Sequence, residues 1–460
     1  MRRALAVAFV LALVDVPVAK ALQVTRGPYL QIGTPTSIVV RWHTDEATDS
    51  RVTYGAALGE MGNEADDASV TTEHEVNITD LLPATKYHYA VGDQSASLAG
   101  ADTEHFFITA PLPGTPVPTR IWAIGDSGTA NNNARAVRDA YYGFAGNSYA
   151  DVWLMLGDNA YPDGTDAQYQ AAVFDMYPET LRQTVVWPTL GNHDARSASS
   201  PNESGVYYGI FSLPKSAEAG GLPSGTEAYY SFDYGNIHFI CLDSHDSPRA
   251  TAGAMLTWLQ SDLSATLQDW VIAFWHHPPY SRGSHNSDND GDSGGRMRQM
   301  RENALPILEE AGVDLVLSGH SHSYERSFLL HGHYGKSTGL TAQMIVDDGD
   351  GSMRGAGPYA KSTANDATSE GAVYAVAGSS GKTSGGSLNH PVMFTSFNTL
   401  GSMAIEVEAL RLDAVFLDNT GSVLDDFTIE KGRDGTAVTA RNRLVTSWGQ
   451  MRQRASQQGK

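Results

Sequence analysis

Five apolar segments of this chain each run directly into a short loop of metal-type donors. Ile124 leads into Gly125-Asp126-Ser127-Gly128, and Leu156 into Gly157-Asp158-Asn159-Ala160-Tyr161. Leu190 leads into Gly191-Asn192-His193-Asp194, and Trp275 into His276-His277-Pro278-Pro279-Tyr280. Leu317 and Ser318 lead into Gly319-His320-Ser321-His322. In an open α/β sheet the carboxyl ends of the strands gather along one edge, where ligands bind. The glycines permit a sharp turn and a close approach of backbone to that ligand. The pattern therefore predicts a sheet that delivers donors from distant stretches of chain to one place.

The surrounding sequence supports such a sheet. Apolar runs at 121–124, 152–156, 185–190, 237–242, 270–275 and 313–317 alternate with helical stretches at 133–144, 166–176, 254–267 and 297–311. Continuous apolar strands suit a sheet covered on both faces. Later strands at 372–377, 403–407, 412–417 and 426–429 are expected to form a second sheet of the same domain, which spans residues 119–430.

Residues 22–111 read differently. Short β-rich runs such as Ser37–Trp42 and Ser50–Tyr54 are separated by turn residues. The run Leu81-Leu82-Pro83-Ala84-Thr85-Lys86-Tyr87-His88-Tyr89 resembles the late-strand signature of a fibronectin type III sandwich. The proline-rich stretch 112–118 is a stiff boundary. Ahead of it all, Arg2-Arg3, an apolar run from Ala4 to Val14 and Ala19-Lys20-Ala21 have the form of a secretory signal peptide over residues 1–21. Secretion or a periplasmic location follows as an expectation, and no later run is suited to a transmembrane segment. A basic tail, 431–460, closes the chain, and a frayed or docked segment is expected there.

The formal charge of −21 argues against nucleic-acid binding, which needs surplus cations. It mildly favours small substrates over polyanions. The single cysteine, Cys241, excludes a disulfide framework and reads as a core residue.

Oxygen and imidazole donors without a thiolate suit ions such as Fe, Mn and Zn. Two carboxylates with three or four imidazoles exceed the needs of one tetrahedral ion and suit a pair bridged by an Asp. His276 and His277 compete for one position. Because successive strand residues face opposite ways, only one of them is expected to face the site.

The ordered set of GDSG, GDNAY, GNHD, a strand-end histidine and GHSH resembles the calcineurin-like metallophosphoesterases. Tyr161, three residues after Asp158, resembles their purple acid phosphatase branch, as does a fibronectin-like module before the core. The resemblance implies an N-terminal all-β sandwich followed by an α/β metallophosphoesterase domain. It implies Fe(III) held by Asp126, Asp158, Tyr161 and His322, with Asp158 bridging. Asn192, His276 and His320 would hold Zn, Mn or Fe(II). His276 is preferred over His277 because His276 through Tyr280 fits the family's His-x-Pro-x-Tyr order, although Ala273 stands where the family often has Val. His193 would contact the phosphate or leaving group, and His285 sits where some members place a second phosphate-facing histidine.

The implied activity is acid hydrolysis of small phosphate monoesters by metal-bound hydroxide. A nucleotide or phosphodiester hydrolase on the same site is an alternative, and an exported binding or adhesion protein is a third reading. Asp288-Asn289-Asp290-Gly291-Asp292 lacks the glycine and glutamate spacing of an EF-hand and is expected to be a solvated lid loop. Tyr324-Glu325-Arg326 is expected to anchor its loop by an ion pair.

Overall fold

The computed structural model describes residues 21–146, 148–361 and 369–432. The expected signal peptide, apart from Ala21, and the basic tail beyond residue 432 lie outside the described residues. No described helix is long and apolar enough to cross a membrane.

The N-terminal module is built on one long strand, Ile38–Gly55. Its first half pairs with Val24–Gln31, its second half with Lys86–Gly92, and both halves pair with Asn63–Ile78. Trp42 and Tyr89 are fully buried, and Tyr87 nearly so. Tyr87 and Tyr89 share a face because side chains alternate along a strand, and both pack on Phe107.

The 112–118 boundary does not hold the modules apart. Tyr29 of the first strand is buried in the core of the second domain, and its hydroxyl donates to the Ile210 carbonyl at 2.6 Å. Gln31 donates to the Val186 carbonyl (3.1 Å) and accepts from the Ser212 amide (2.7 Å). Arg26 pairs with Asp166 at 2.6 Å.

The second domain holds two seven-stranded sheets, which divide the chain differently from the sequence expectation. Thr119–Ile124, Val152–Met155 and Val186–Pro188 pair in parallel, and this group continues into the late strands Gly401–Glu408, Arg411–Asp418 and Val423–Lys431. Ile237–Cys241, Trp270–Trp275, Leu315–Ser318 and Val373–Ala377 form the parallel centre of the other sheet. The early strands are thus split between the sheets, and Val373–Ala377 joins the second rather than the late set. Trp122 stacks on Tyr141 (4.2 Å between ring centres) and fixes the helix Asn132–Ala145 to the first sheet. Asn131 caps that helix by accepting from the Asn133 and Ala134 amides.

Two expected helices contain π-turns, at Gln170–Phe174 and Met300–Ala304. Just beyond the second, after Leu305, Pro306 has no amide hydrogen, so the wider turn falls where the regular ladder must break. Cys241 is buried, as expected.

Candidate metal centre

The five donor loops meet where the parallel strands of the two sheets end. Asp126, Asp158 and His320 all adopt left-handed backbone conformations, with φ of 56°, 53° and 67°. Such conformations cost energy for residues with a Cβ and cluster at functional sites. The glycines beside them are required sterically. A Cβ on Gly191 would lie 2.0 Å from the Asp158 amide nitrogen, and one on Gly319 2.6 Å from Asp126 Oδ2.

His276 lies at the centre. Its Nδ1–H donates to the Leu156 carbonyl at 2.9 Å, which turns Nε2 toward the other donors. That nitrogen lies 3.3 Å from Asp158 Oδ1, 3.1 Å from Asn192 Oδ1 and 3.2 Å from His320 Nδ1. On the other side, Asp126 Oδ1 accepts from the Tyr161 hydroxyl at 3.0 Å and lies 3.5 Å from His322 Nε2. Asp126 Oδ2 accepts from the His320 amide at 2.6 Å. All seven residues expected from sequence to be ligands are therefore in one place.

The site has a sealed floor and an open rim. The side chains of Asp126 and His276 are 0% exposed, whereas those of His322, His193 and His285 are 14%, 21% and 31% exposed. His193 Nδ1–H donates to the Pro162 carbonyl (2.5 Å), and its Nε2 lies 3.8 Å from Asp158 Oδ2. His285 stacks on His320 with ring centres 3.9 Å apart.

The electrostatics call for positive charge. Burial works against a charged His276, yet Asp158 and Asp126 outweigh it and raise the imidazole above its ordinary range. Burial also drives Asp126 up, but the His322 bond, His276 and Tyr161 hold its carboxyl below the usual range. Burial, reinforced by neighbouring histidines, keeps His320 and His277 far down and so neutral, with lone pairs free to ligate. Burial, together with Asp126 and Asp158, pushes the Tyr161 phenol well up, so only a strong local cation would favour its phenolate.

Several features were not legible in the sequence. His277 does not face away. The strand ends at Trp275, so alternation lapses, and His277 packs on His320 with ring centres 4.3 Å apart while its Nδ1 lies 2.9 Å from Ser244 Oγ. The 288–292 loop is not simply solvated. Asp288 accepts from Ser337 and Arg282, and Asp292 lies 2.8 Å from His285 Nδ1. Ser293, next to Asp292, places its hydroxyl 2.6 Å from His320 Nε2. Asp194, the last residue of the third loop, is buried and accepts from the Gly191, Asn159 and Ala160 amides and the Tyr169 hydroxyl, tying two donor loops together. Glu325 anchors its loop by accepting from Ser281, Ser323 and the Arg282 and Gly283 amides, while the ion pair is made by Arg326 to Asp425 (2.6 Å).

Both domains match known families. Residues 119–324 match the calcineurin-like phosphoesterases, and residues 26–109 match the purple acid phosphatase N-terminal domain. The chain carries a calcineurin-like phosphoesterase domain preceded by a purple acid phosphatase N-terminal domain. It is 28% identical over 351 residues to purple acid phosphatase 23 of Arabidopsis thaliana, covering 65% of this chain and 73% of that protein. It is also 28% identical over 304 residues to purple acid phosphatase 15 of the same plant, covering 60% of this chain and 53% of that one. An uncharacterized protein of Mycobacterium tuberculosis is 28% identical over 353 residues, covering 68% of this chain and 64% of that protein. The chain thus spans between about half and three-quarters of these relatives' lengths. The fold matches that of a purple acid phosphatase from yellow lupin seeds (TM-score 0.61, 16% identity, 92% of this chain and 78% of that one). It also matches the structure of PhoD (TM-score 0.60, 13% identity, 94% and 96%).

Proposed function

We propose that this protein is an exported acid phosphatase that hydrolyses small phosphate monoesters at a pair of cations. One observation carries the reading. With its Nδ1–H committed to Leu156, His276 turns Nε2 toward the oxygens of Asp158 and Asn192, each within 3.3 Å. Asp158 and Asp126 call for positive charge at that nitrogen, which a bound cation supplies in place of a proton.

The donor set fits two ions. Asp126, Asp158, Tyr161 and His322 would hold Fe(III), and Asn192, His276 and His320 would hold Zn, Mn or Fe(II), with Asp158 shared between them. When bound, the pair would neutralise phosphoryl charge and acidify water as the nucleophile.

The remaining chemistry belongs to the protein. The Pro162 carbonyl holds the Nδ1–H of His193, so that the imidazolium form presents an Nε2–H at the open rim to donate to the phosphoryl group or to protonate the departing alkoxide, returning to the neutral Nδ1–H form. Asp292 orients His285 in the same way, leaving its other nitrogen for substrate. The arginine-rich start and the small-residue boundary before Leu22 support export, and N-terminal sequencing of mature protein should begin near that residue.

The test compares an aryl phosphate monoester, a diester and a nucleotide on metal-replete protein. The monoester should give the highest kcat/KM. Asp158→Ala should lower it by more than about a hundredfold, the range expected when only a supporting residue is lost. Near-normal turnover by that variant would refute the assignment.

A further inference from the structure

Lys382 lies on the loop that follows the strand Val373–Ala377, outside all five donor motifs. Its ammonium sits 3.8 Å from the centre of the Tyr161 ring. On its edge the same ring meets His193, with centres 4.5 Å apart and planes at 69°. Lys382 is half-buried, and among the described residues no carboxylate lies within ion-pairing distance of its ammonium.

The loop that carries it is held firmly. The Ser380 amide donates to the Gly125 carbonyl at 3.0 Å, and Thr129 Oγ1 donates to the Gly381 carbonyl at 3.2 Å. A Cβ on Gly381 would come within 2.6 Å of the Asp126 carbonyl oxygen, so the backbone before the lysine is pressed against the first donor loop. Beyond it, Ser384 Oγ lies 2.7 Å from His322 Nδ1. The loop thus wraps the Asp126, Tyr161 and His322 side of the site and presents one cation at its rim.

A lysine whose charge is met only by a ring face keeps hydrogens free to donate. In a strongly acidic chain, such a cation beside a phosphoryl site is suited to an anion brought by the substrate. We propose that Lys382 is a specificity-determining residue that binds a second anionic group on the substrate, favouring phosphate esters that carry a further phosphate or carboxylate. This rests on the phosphatase reading above.

The test uses non-hydrolysable probes on metal-replete protein, with binding measured by calorimetry. Methylphosphonate offers one anionic group, and methylenediphosphonate offers two. Wild-type protein should bind methylenediphosphonate more tightly. Lys382→Gln should weaken that binding by about tenfold, the worth of one charge-assisted hydrogen bond, while changing methylphosphonate binding less than about twofold. Lys382→Arg should restore most of the loss. A Tyr161 phenolate held to Fe(III) would give a visible charge-transfer band, and the same band in Lys382→Gln would show that the surroundings of Tyr161 are intact. Equal weakening of both probes, or no change in either, would overturn the proposal. Failure of wild-type protein to bind methylphosphonate at all would instead overturn the phosphatase reading on which it rests.

Discussion

His238 offers a quantitative test of the sheet that delivers His276. It lies on Ile237–Cys241, which pairs in register with Trp270–Trp275, the strand that ends at His276. The imidazole is fully buried between two carboxylates, with Nδ1 2.8 Å from Asp233 Oδ1 and Nε2 2.9 Å from Asp262 Oδ2. Burial works against its charge, but the bonds to Asp233 and Asp262 win and raise it from 6.5 to about 9. The folded state therefore binds the proton more tightly than the unfolded chain. The stabilisation is fully present below pH 6.5 and is lost as pH rises from there through about 9. A shift of this size corresponds to about 3 kcal/mol.

Urea unfolding between pH 6 and pH 9.5 reads it directly. Wild-type stability should fall by about 3 kcal/mol relative to a His238→Phe variant, whose profile should be flat through that window. The variant should itself be about 3–5 kcal/mol less stable at pH 6, because the buried Asp262 and the largely covered Asp233 lose their shared partner. Parallel pH profiles for the two proteins would refute the triad. His390 gives the opposite slope in a different window. Burial depresses it to about 3, so its contribution is lost as pH falls below 6.5 and does not overlap the alkaline change.

Three further outcomes follow from the site. Gly191→Ala would drive a Cβ into the Asp158 backbone and carboxylate, so metal content measured by elemental analysis should drop even if circular dichroism shows the fold retained. Asp194→Ala leaves buried amides of two donor loops without an acceptor and should cost about 3 kcal/mol in urea unfolding, with reduced metal retention. Tyr161→Phe should abolish a visible charge-transfer band while leaving the unfolding midpoint nearly unchanged, since the hydroxyl's partner, Asp126, keeps its bond from the His320 amide.

The donor loops were legible in the sequence because each is local: an apolar strand, a glycine, then a ligand-type side chain. The α/β class and the N-terminal β module were legible for the same reason, through short-range periodicity. The partition of strands between sheets was not. Gly401–Glu408 pairs with Thr119–Ile124 across most of the domain, and nothing in either segment names its partner. His277 was misread because the two-residue alternation was carried past Trp275, where the strand has ended. Asp292 is expected from sequence only as part of a solvated loop, and Lys382 sits on a loop without a motif; both reach the site only through tertiary folding. Asp194 stood inside a quoted motif, but its role depends on amides from another loop.

The central claim is that donors from five distant loops grip two cations together. Elemental analysis and a visible spectrum, taken on one purified sample of wild-type protein and one of Asp158→Ala, test it most directly. The account predicts two metal ions per wild-type chain, iron among them, with a visible band, and loss of both ions from the variant. A fully active wild-type protein with less than one ion per chain, or an Asp158→Ala variant that keeps both, would contradict it.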